Sequence, residues 1–396
     1  MSKEKQRKCH FIITRSPFPA IGGDRVKSFN MIKILNSIYC LNIVLVTEEL
    51  VDENAIEFLR QNSSSVSVYN LSLIGCYWRS FQSLFTKNSM QESYYYSKNV
   101  ALLLEKQFHR NDIVICNLIR TARYASDFDG LKILDAVDSI FLNYKRSISE
   151  TKNLFWKVIY YLEKRKICNN EWKWVQSFSL SLFVNSLEAK YYEQWGTVRW
   201  IPNGVWDDLL KFNIAPKQSE IKVNTITFLG KMNYQPNVDA VKWVCKHVMP
   251  LLPPYFEFLI LGSEPDNSIL KLAAKDKRVK VLGFVSDPYQ IMRTSSVFVA
   301  PMQTGGGIQN KILEALAIGC CVITTPLGAS PISGGQDSIH FYTIDDASKL
   351  AQKIIDVSNH SIDTTEIRQN AINFIKNNFT WGSYRSLMIK SISEIK

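Results

Sequence analysis

Apolar positions along the chain follow two periods that alternate. Short continuous apolar runs read as buried parallel strands, and the stretches between them keep one apolar face at helical spacing. Residues 10–14 (His10-Phe11-Ile12-Ile13-Thr14) form a first strand. A helix follows with Val26, Phe29, Ile32, Ile34 and Leu35 on its apolar side, and then a strand at 40–46. Further strands are predicted at 113–116, 131–134, 182–185 and 200–201. Residues 205–222 are polar and irregular, which suits a domain boundary. Beyond them the alternation restarts, with strands at 225–229, 257–261, 279–282, 297–300 and 321–324 and helices such as 238–247 and 268–274. The pattern predicts an α/β chain of two Rossmann-like, doubly wound domains.

In the second domain the apolar strand 297–300 runs into Pro301 and then Gly305-Gly306-Gly307-Ile308. A helix is predicted after these glycines. Ile308, Ile312, Ala315, Leu316 and Gly319 share one face, and Asn310, Lys311 and Glu314 lie on the face turned away from the core. Glycines admit a ligand close to the backbone, and a helix N-terminus offers free N–H groups to a phosphate. Lys311 adds a full charge, and an ionised Glu314 can accept from sugar hydroxyls. The competing reading is a plain surface Lys–Glu pair. The spacing is neither a Walker loop nor G-x-G-x-x-G. Lys231, after Gly230 at the end of the strand 225–229, falls on the same sheet edge and favours the phosphate reading. Gly283-Phe284-Val285 could present backbone to a flat base.

In the first domain, Gly22, Gly23 and Arg25 lie at the carboxyl edge after the first strand, where ligands of doubly wound sheets bind. The glycines suit a plain turn, and the arginine favours an anion. Asp135 and Asp138 sit at the end of the strand 131–134, a usual place for catalytic groups, although a cap and a surface charge would look the same.

Composition narrows the picture. The chain has 396 residues, 46% apolar and 21% charged, which is globular and long enough for two cores. Eight cysteines form no C-x-x-C pair, and five scattered histidines give no metal spacing. Lys3 to Lys8 is basic, but the apolar stretch after it is only Phe11-Ile12-Ile13, so no signal peptide is predicted; no run approaches a membrane span. A cytoplasmic protein is expected. Net charge is +11, and the first half holds most of the surplus, which suggests an anionic partner there. Residues 141–176 mix lysines and arginines with Phe155, Trp156, Tyr160, Tyr161, Trp172 and Trp174. They are the first candidate for an anionic membrane surface. RNA is the rival, without a motif to support it, and an ordinary packed helix is the common alternative. Residues 76–98, with Tyr77, Trp78, Phe81, Phe85 and Tyr94-Tyr95-Tyr96, read equally well as a core helix or as an acceptor- or membrane-facing loop.

The second half resembles the retaining glycosyltransferases of family 4 with the GT-B fold. The resemblance rests on Phe228-Leu229-Gly230-Lys231-Met232 with Pro236-Asn237-Val238, on Gly283-Phe284-Val285-Ser286-Asp287, and on Gly305 through Ala317. Pro202-Asn203-Gly204-Val205 is similar to that family's interdomain turn, Pro17-Phe18-Pro19 with Gly22-Gly23 and Arg25 to its first-strand loop, and Phe379-Thr380-Trp381 to its last-helix motif. The resemblance implies an acceptor domain at 1–204, joined by a helix at about 380–396, and a donor domain at 205–379, facing a central cleft. It implies transfer from a nucleoside diphosphate sugar, with retention, to a saccharide or polyprenyl-diphosphate-linked acceptor in cell-surface polysaccharide synthesis. Glu314 would bind the ribose, Lys231 and Lys311 the diphosphate, Phe284 and Val285 the base. Gly22 and Gly23 would approach the donor phosphates, as would the loop of Gly305, Gly306, Gly307 and Ile308. Lys231, Lys311, Glu314 and Asp138 are the candidate catalytic residues. No cofactor and no metal is expected beyond the donor substrate, and no nucleic acid. The protein would be peripheral on the inner face of the cell membrane.

Three departures stand out. Gly306 occupies the place of the family's first Glu, Pro236-Asn237 that of its second phosphate-binding Lys, and residues 113–138 lack its His, leaving Asn117, Arg120, Asp135 and Asp138 as polar candidates. Asp127-Phe128-Asp129 matches the D-x-D of metal-using GT-A enzymes but reads as a turn beside Gly130. Other readings are a nucleotide-sugar epimerase of the same plan and a non-catalytic membrane- or nucleic-acid-binding protein on this scaffold.

Overall fold

The computed structural model describes residues 7–20, 22–150, 154–305 and 307–395, without the side chains of 146, 147, 149, 150, 155 and 156. It divides into two units, residues 1–202 with 385–396, and residues 203–384. The first carries strands β1 (Lys8–Ile13), β2 (Cys40–Thr47), β3 (Ser65–Asn70), β4 (Ile113–Asn117), β5 (Leu131–Val137), β6 (Leu180–Phe183) and β7 (Val198–Trp200). They form one sheet in the order β3-β2-β1-β4-β5-β6-β7, with β1 paired in parallel to both β2 and β4. The second carries β8 (Lys222–Leu229), β9 (Glu257–Leu261), β10 (Val279–Gly283), β11 (Ser295–Ala300), β12 (Val322–Thr324) and β13 (Tyr342–Thr343), in the order β10-β9-β8-β11-β12-β13. Both orders reverse beside the first strand of the unit, which is the doubly wound plan.

Burial on both sheet faces explains why the strands read as continuous apolar runs. In the second unit Phe228, Ile260, Val297 and Val299 pack into one cluster, and Phe298, Ala300 and Val322 into another with Ile312, Leu316 and Ile375. Most strands fall where the pattern predicts them, and β9 at the same bounds. The exceptions have local causes. The β3 strand (Ser-Val-Ser-Val-Tyr-Asn) is a half-exposed edge with too little apolar content to stand out, and β13 has only two residues. The β6 strand lies two residues before its predicted place, because Asn185 leaves the sheet to cap the helix Ser186–Tyr192, accepting from the Leu187 N–H at 2.9 Å. Residues 76–98 are largely helical, in Leu73–Ser83 and Met90–Tyr95, and 141–176 form the helices Ile140–Glu150 and Leu154–Ser177. In this second stretch Trp174 is buried and Trp172 stacks on Trp195 at 4.9 Å, so these rings belong to the core. The side chains of Phe155 and Trp156 lie outside the described residues.

Arg368 fastens the frame of the second unit. Its buried guanidinium donates to the carbonyls of Gly319 at 3.0 Å and Ser296 at 2.7 Å and to Thr364 Oγ1 at 3.0 Å. It thereby joins the start of β11 to the end of the helix Asn310–Ala317. Arg368→Leu leaves buried carbonyls without a donor and should cost about 3 kcal/mol of stability. A lowered midpoint in urea unfolding monitored by circular dichroism is the expected result, and an unchanged midpoint would show the guanidinium to be dispensable.

Candidate active site

Glycines mark the loops where β8, β9, β10 and β11 of the second unit end. After β9 the chain turns at Gly262, whose φ is +137°, and a Cβ there would stand 1.8 Å from the Gly230 carbonyl oxygen. Only glycine allows the two loops to lie this close. The loop after β8 carries Lys231, the loop after β9 carries Glu264, and Gly283 leads from β10 into Phe284 and Val285. After β11 come Pro301, Gly305 (φ +89°), Gly307 and Ile308, and then the helix Asn310–Ala317. Gly306 lies outside the described residues. The carboxyl edge of one parallel sheet therefore gathers Lys231, Phe284, Val285, Gly305, Gly307, Ile308, Lys311 and Glu314.

Asn237 organises this edge. It is buried near the start of the helix Gln235–Trp243. Its amide nitrogen donates to the Lys231 carbonyl at 2.9 Å, and its amide oxygen accepts from the Lys311 ammonium. Lys311 also donates to Gln309 Oε1 at 3.2 Å and lies 5.3 Å from the centre of the Phe228 ring. The Lys231 side chain reaches the other way, to Glu264 at 3.0 Å, in a pair about half exposed on both sides. Asn233 also donates to Glu264.

The Lys311–Glu314 face differs from the expectation. It does not turn away from the core. Both side chains are half-buried, between β8 and the helix Pro288–Arg293. Burial draws the Lys311 ammonium down to about 7, against the pull of Glu314. Burial likewise pushes the Glu314 carboxyl up to about 7, against a hydrogen bond from the Tyr289 hydroxyl and the charge of Lys311. Tyr289 is itself pushed well up by burial, then by Glu314. Val285, Tyr289 and Ile308 each pack against the apolar cluster, while Phe284 is exposed. Residues that the sequence reading had passed over are Tyr289, Gln309 and Glu264. Asn237 had appeared in it as part of a motif and in the place of a lysine, without a contact of its own.

In the first unit Gly22 has φ +99° and precedes the helix Gly23–Asn36. Arg25 is paired with Glu49 at 3.0 Å, and Arg15 with Asp24 at 3.0 Å. Asp135 is buried in an ion pair with Lys27 and accepts from the Asn117 amide at 2.8 Å, so it serves the core. Asp138 is half-buried just beyond β5, followed by Ser139, whose N–H donates to Glu188 and whose hydroxyl donates to Glu171. Glu171 also accepts from the N–H groups of Ile140 and Phe141 and so anchors the helix that follows Asp138. Arg120 is held over the Tyr95 ring at 4.8 Å, and burial lowers its pKa. Asp127 and Asp129 lie on the loop before β5, at the amino edge of the sheet, away from the strand ends that carry Asp138. Among the described residues no group of three or more His, Cys, Asp or Glu could hold a metal ion.

The two shifted groups have opposite pH signatures. Glu314 keeps a proton in the folded chain that the unfolded chain loses near 4.5, so its contribution is full below that pH and disappears as pH rises to about 7. Lys311 gives up a proton that the unfolded chain keeps to 10.5, so its contribution is full above that pH and disappears as pH falls through about 7. Glu314→Gln should therefore flatten the loss of stability between pH 4.5 and 7 by about 1–3 kcal/mol. Urea titrations of both proteins across that interval would detect it, and parallel curves would place the Glu314 titration elsewhere.

Residues 223–360 match the family model described as "Glycosyl transferases group 1". The matched stretch lies within the second unit. Over 93% of its length it is 21% identical to an uncharacterised 44.6 kDa protein in the cps region of Klebsiella pneumoniae, covering 95% of that protein. Among solved structures it is similar to HepE of Anabaena, described in complex with UDP (TM-score 0.67, 15% identity, 98% of this chain and 99% of that one). It is also similar to sucrose-phosphate synthase of Thermosynechococcus elongatus (TM-score 0.69, 12% identity, 97% and 98%). TarM gives a TM-score of 0.68 at 11% identity, with 98% and 99% covered. The fold is that of the GT-B glycosyltransferases.

Proposed function

We propose that the chain is a glycosyltransferase that takes a sugar from a nucleoside diphosphate sugar and passes it, with retention, to a saccharide or polyprenyl-diphosphate-linked acceptor. The observation that carries this reading is the joining of the Lys231 backbone to the Lys311 side chain through Asn237, with Glu314 beside Lys311, within the stretch that matches the group 1 glycosyltransferase model. The structures of HepE with UDP, with UDP-glucose, and with UDP and glucose support a donor of this class. The relative from a cps region supports a place in surface-polysaccharide synthesis, and the reading puts that synthesis on the inner face of the cell membrane. No helix among the described residues is long and apolar enough to cross a membrane, so attachment would be peripheral.

Each residue has a role that follows from its surroundings. Charge develops on the leaving diphosphate as the sugar departs. The N–H groups of Gly307 and Ile308 and the protonated Lys311 would meet that charge. Lys231 would leave Glu264 for the phosphates at little cost, because an exposed ion pair contributes only about 0–1 kcal/mol. Lys311 is poised differently. With its pKa drawn down to about 7, it takes up a proton when a dianionic group arrives. Glu314 would accept from the ribose hydroxyls while Tyr289 holds it in place. Phe284 and Val285 would cover the base. With cations meeting the leaving group, the reaction needs no metal ion.

Glu314→Ala should weaken binding of UDP by about 1.5–3 kcal/mol in calorimetry, the range for a hydrogen bond to a charged group. An unchanged dissociation constant would remove Glu314 from the site. Transfer should persist in EDTA. Complete loss that manganese restores would move attention to Asp127 and Asp129. The anomeric proton coupling of the product, read by NMR, decides retention, and formation of an epimerised nucleotide sugar without acceptor would replace the transferase reading.

A further inference from the structure

The helix Leu73–Ser83 is built inside out. Its inward stripe is Cys76, Arg79, Ser80 and Ser83, and the Arg79 guanidinium donates to the carbonyls of Ser93 at 3.2 Å and Tyr94 at 3.0 Å. The outward stripe at helical spacing is Ile74, Tyr77, Trp78 and Phe81, continued by Phe85 just beyond the helix. All five are more than half exposed, Ile74 by 83% and Phe85 by 80%. Single exposed apolar residues are ordinary, but a continuous aromatic stripe on one helix marks a surface that something covers.

The charges around the stripe indicate what covers it. Residues 73–88 contain no acidic residue, and Lys87 is exposed at their end. Lys166 joins this end to the helix Leu154–Ser177 by donating to the carbonyls of Ser83 at 2.7 Å and Leu84 at 3.1 Å. That helix adds Lys157, Lys164 and Arg165, and exposes Leu154, Val158, Tyr161 and Leu162. Its one acid between residues 154 and 166, Glu163, is buried and accepts from the Met90 N–H. An apolar stripe with Trp and Tyr beside basic side chains, without exposed acid, fits the interface of an anionic bilayer. A second copy of the chain fits poorly, because a two-fold contact would set the same basic residues against each other.

We propose that this stripe is the surface by which the protein docks on anionic lipid bilayers, with Ile74, Trp78, Phe81 and Phe85 entering the headgroup boundary and the lysines and arginines held against lipid phosphates. The docking stands on these residues alone and does not depend on the transfer reaction. The test uses the full chain with phosphatidylcholine vesicles, with and without phosphatidylglycerol, at low and high salt. Co-sedimentation should need the anionic lipid and fall steeply with salt, because the lysine and arginine contacts are screened. The variant Ile74→Ser/Trp78→Ser/Phe85→Ser should lower the partition coefficient at least tenfold with an unchanged thermal midpoint, since these side chains are already in water. Lys157→Gln/Lys164→Gln/Arg165→Gln should lower it and weaken its salt dependence. Equal, negligible binding to both vesicles at low salt overturns the proposal, as does a serine variant that binds like the wild type. Sedimentation equilibrium that finds a wild-type dimer and a monomeric serine variant assigns the stripe to a second copy instead.

Discussion

The buried amide of Asn237 is the contact on which the carboxyl edge of the second sheet depends. It ties the backbone after β8 to the side chain of Lys311, one turn into the helix after β11. Two loops separated by some seventy residues in sequence are thereby held at one point. Gly230 and Gly262 let the strand ends come close enough for this, and Arg368 holds the far end of the same helix. The site is a property of the sheet's topology, because β8 and β11 are neighbours only where the strand order reverses.

Burial shapes the two charges at this edge. An ammonium and a carboxyl drawn together toward neutral pH are costly to keep ionised without a ligand. A dianionic group beside Lys311 and hydroxyls beside Glu314 would relieve both costs at once. Lys231 is the contrast, a half-exposed cation with an exposed partner that can exchange it. One lysine is therefore fixed and the other free to swing, a distinction that spacing along the chain does not carry.

Most of the fold was legible because strands buried on both faces are continuous apolar runs, as in Val297-Phe298-Val299-Ala300. The strands that stayed hidden, β3 and β13, are an edge and a two-residue pair, where burial leaves little imprint. At the carboxyl edge of the second sheet, the glycines with Lys231, Lys311 and Glu314 were readable as a cluster, because a strand, a glycine loop and a helix leave a punctuated pattern. The depth of Lys311 and Glu314 was not readable. A helical wheel shows the side away from the apolar stripe, but the helix Pro288–Arg293 brings Tyr289 over that side as well. Asn237 was hidden for a related reason: a small amide gains its importance from what lies on either side of it in space.

The helix Leu73–Ser83 shows the limit of periodicity from the opposite direction. An apolar stripe at 3.6-residue spacing ordinarily faces the core, and here Arg79 and three small polar or thiol side chains face it. The inversion is tolerated because carbonyls of Ser93 and Tyr94 satisfy the guanidinium, so the inner face loses no hydrogen bonds. The apolar stripe is left in water, where it contributes nothing to folding. Its hydrophobic free energy is therefore kept for an encounter outside the fold, and the neighbouring lysines and arginines decide with what kind of surface.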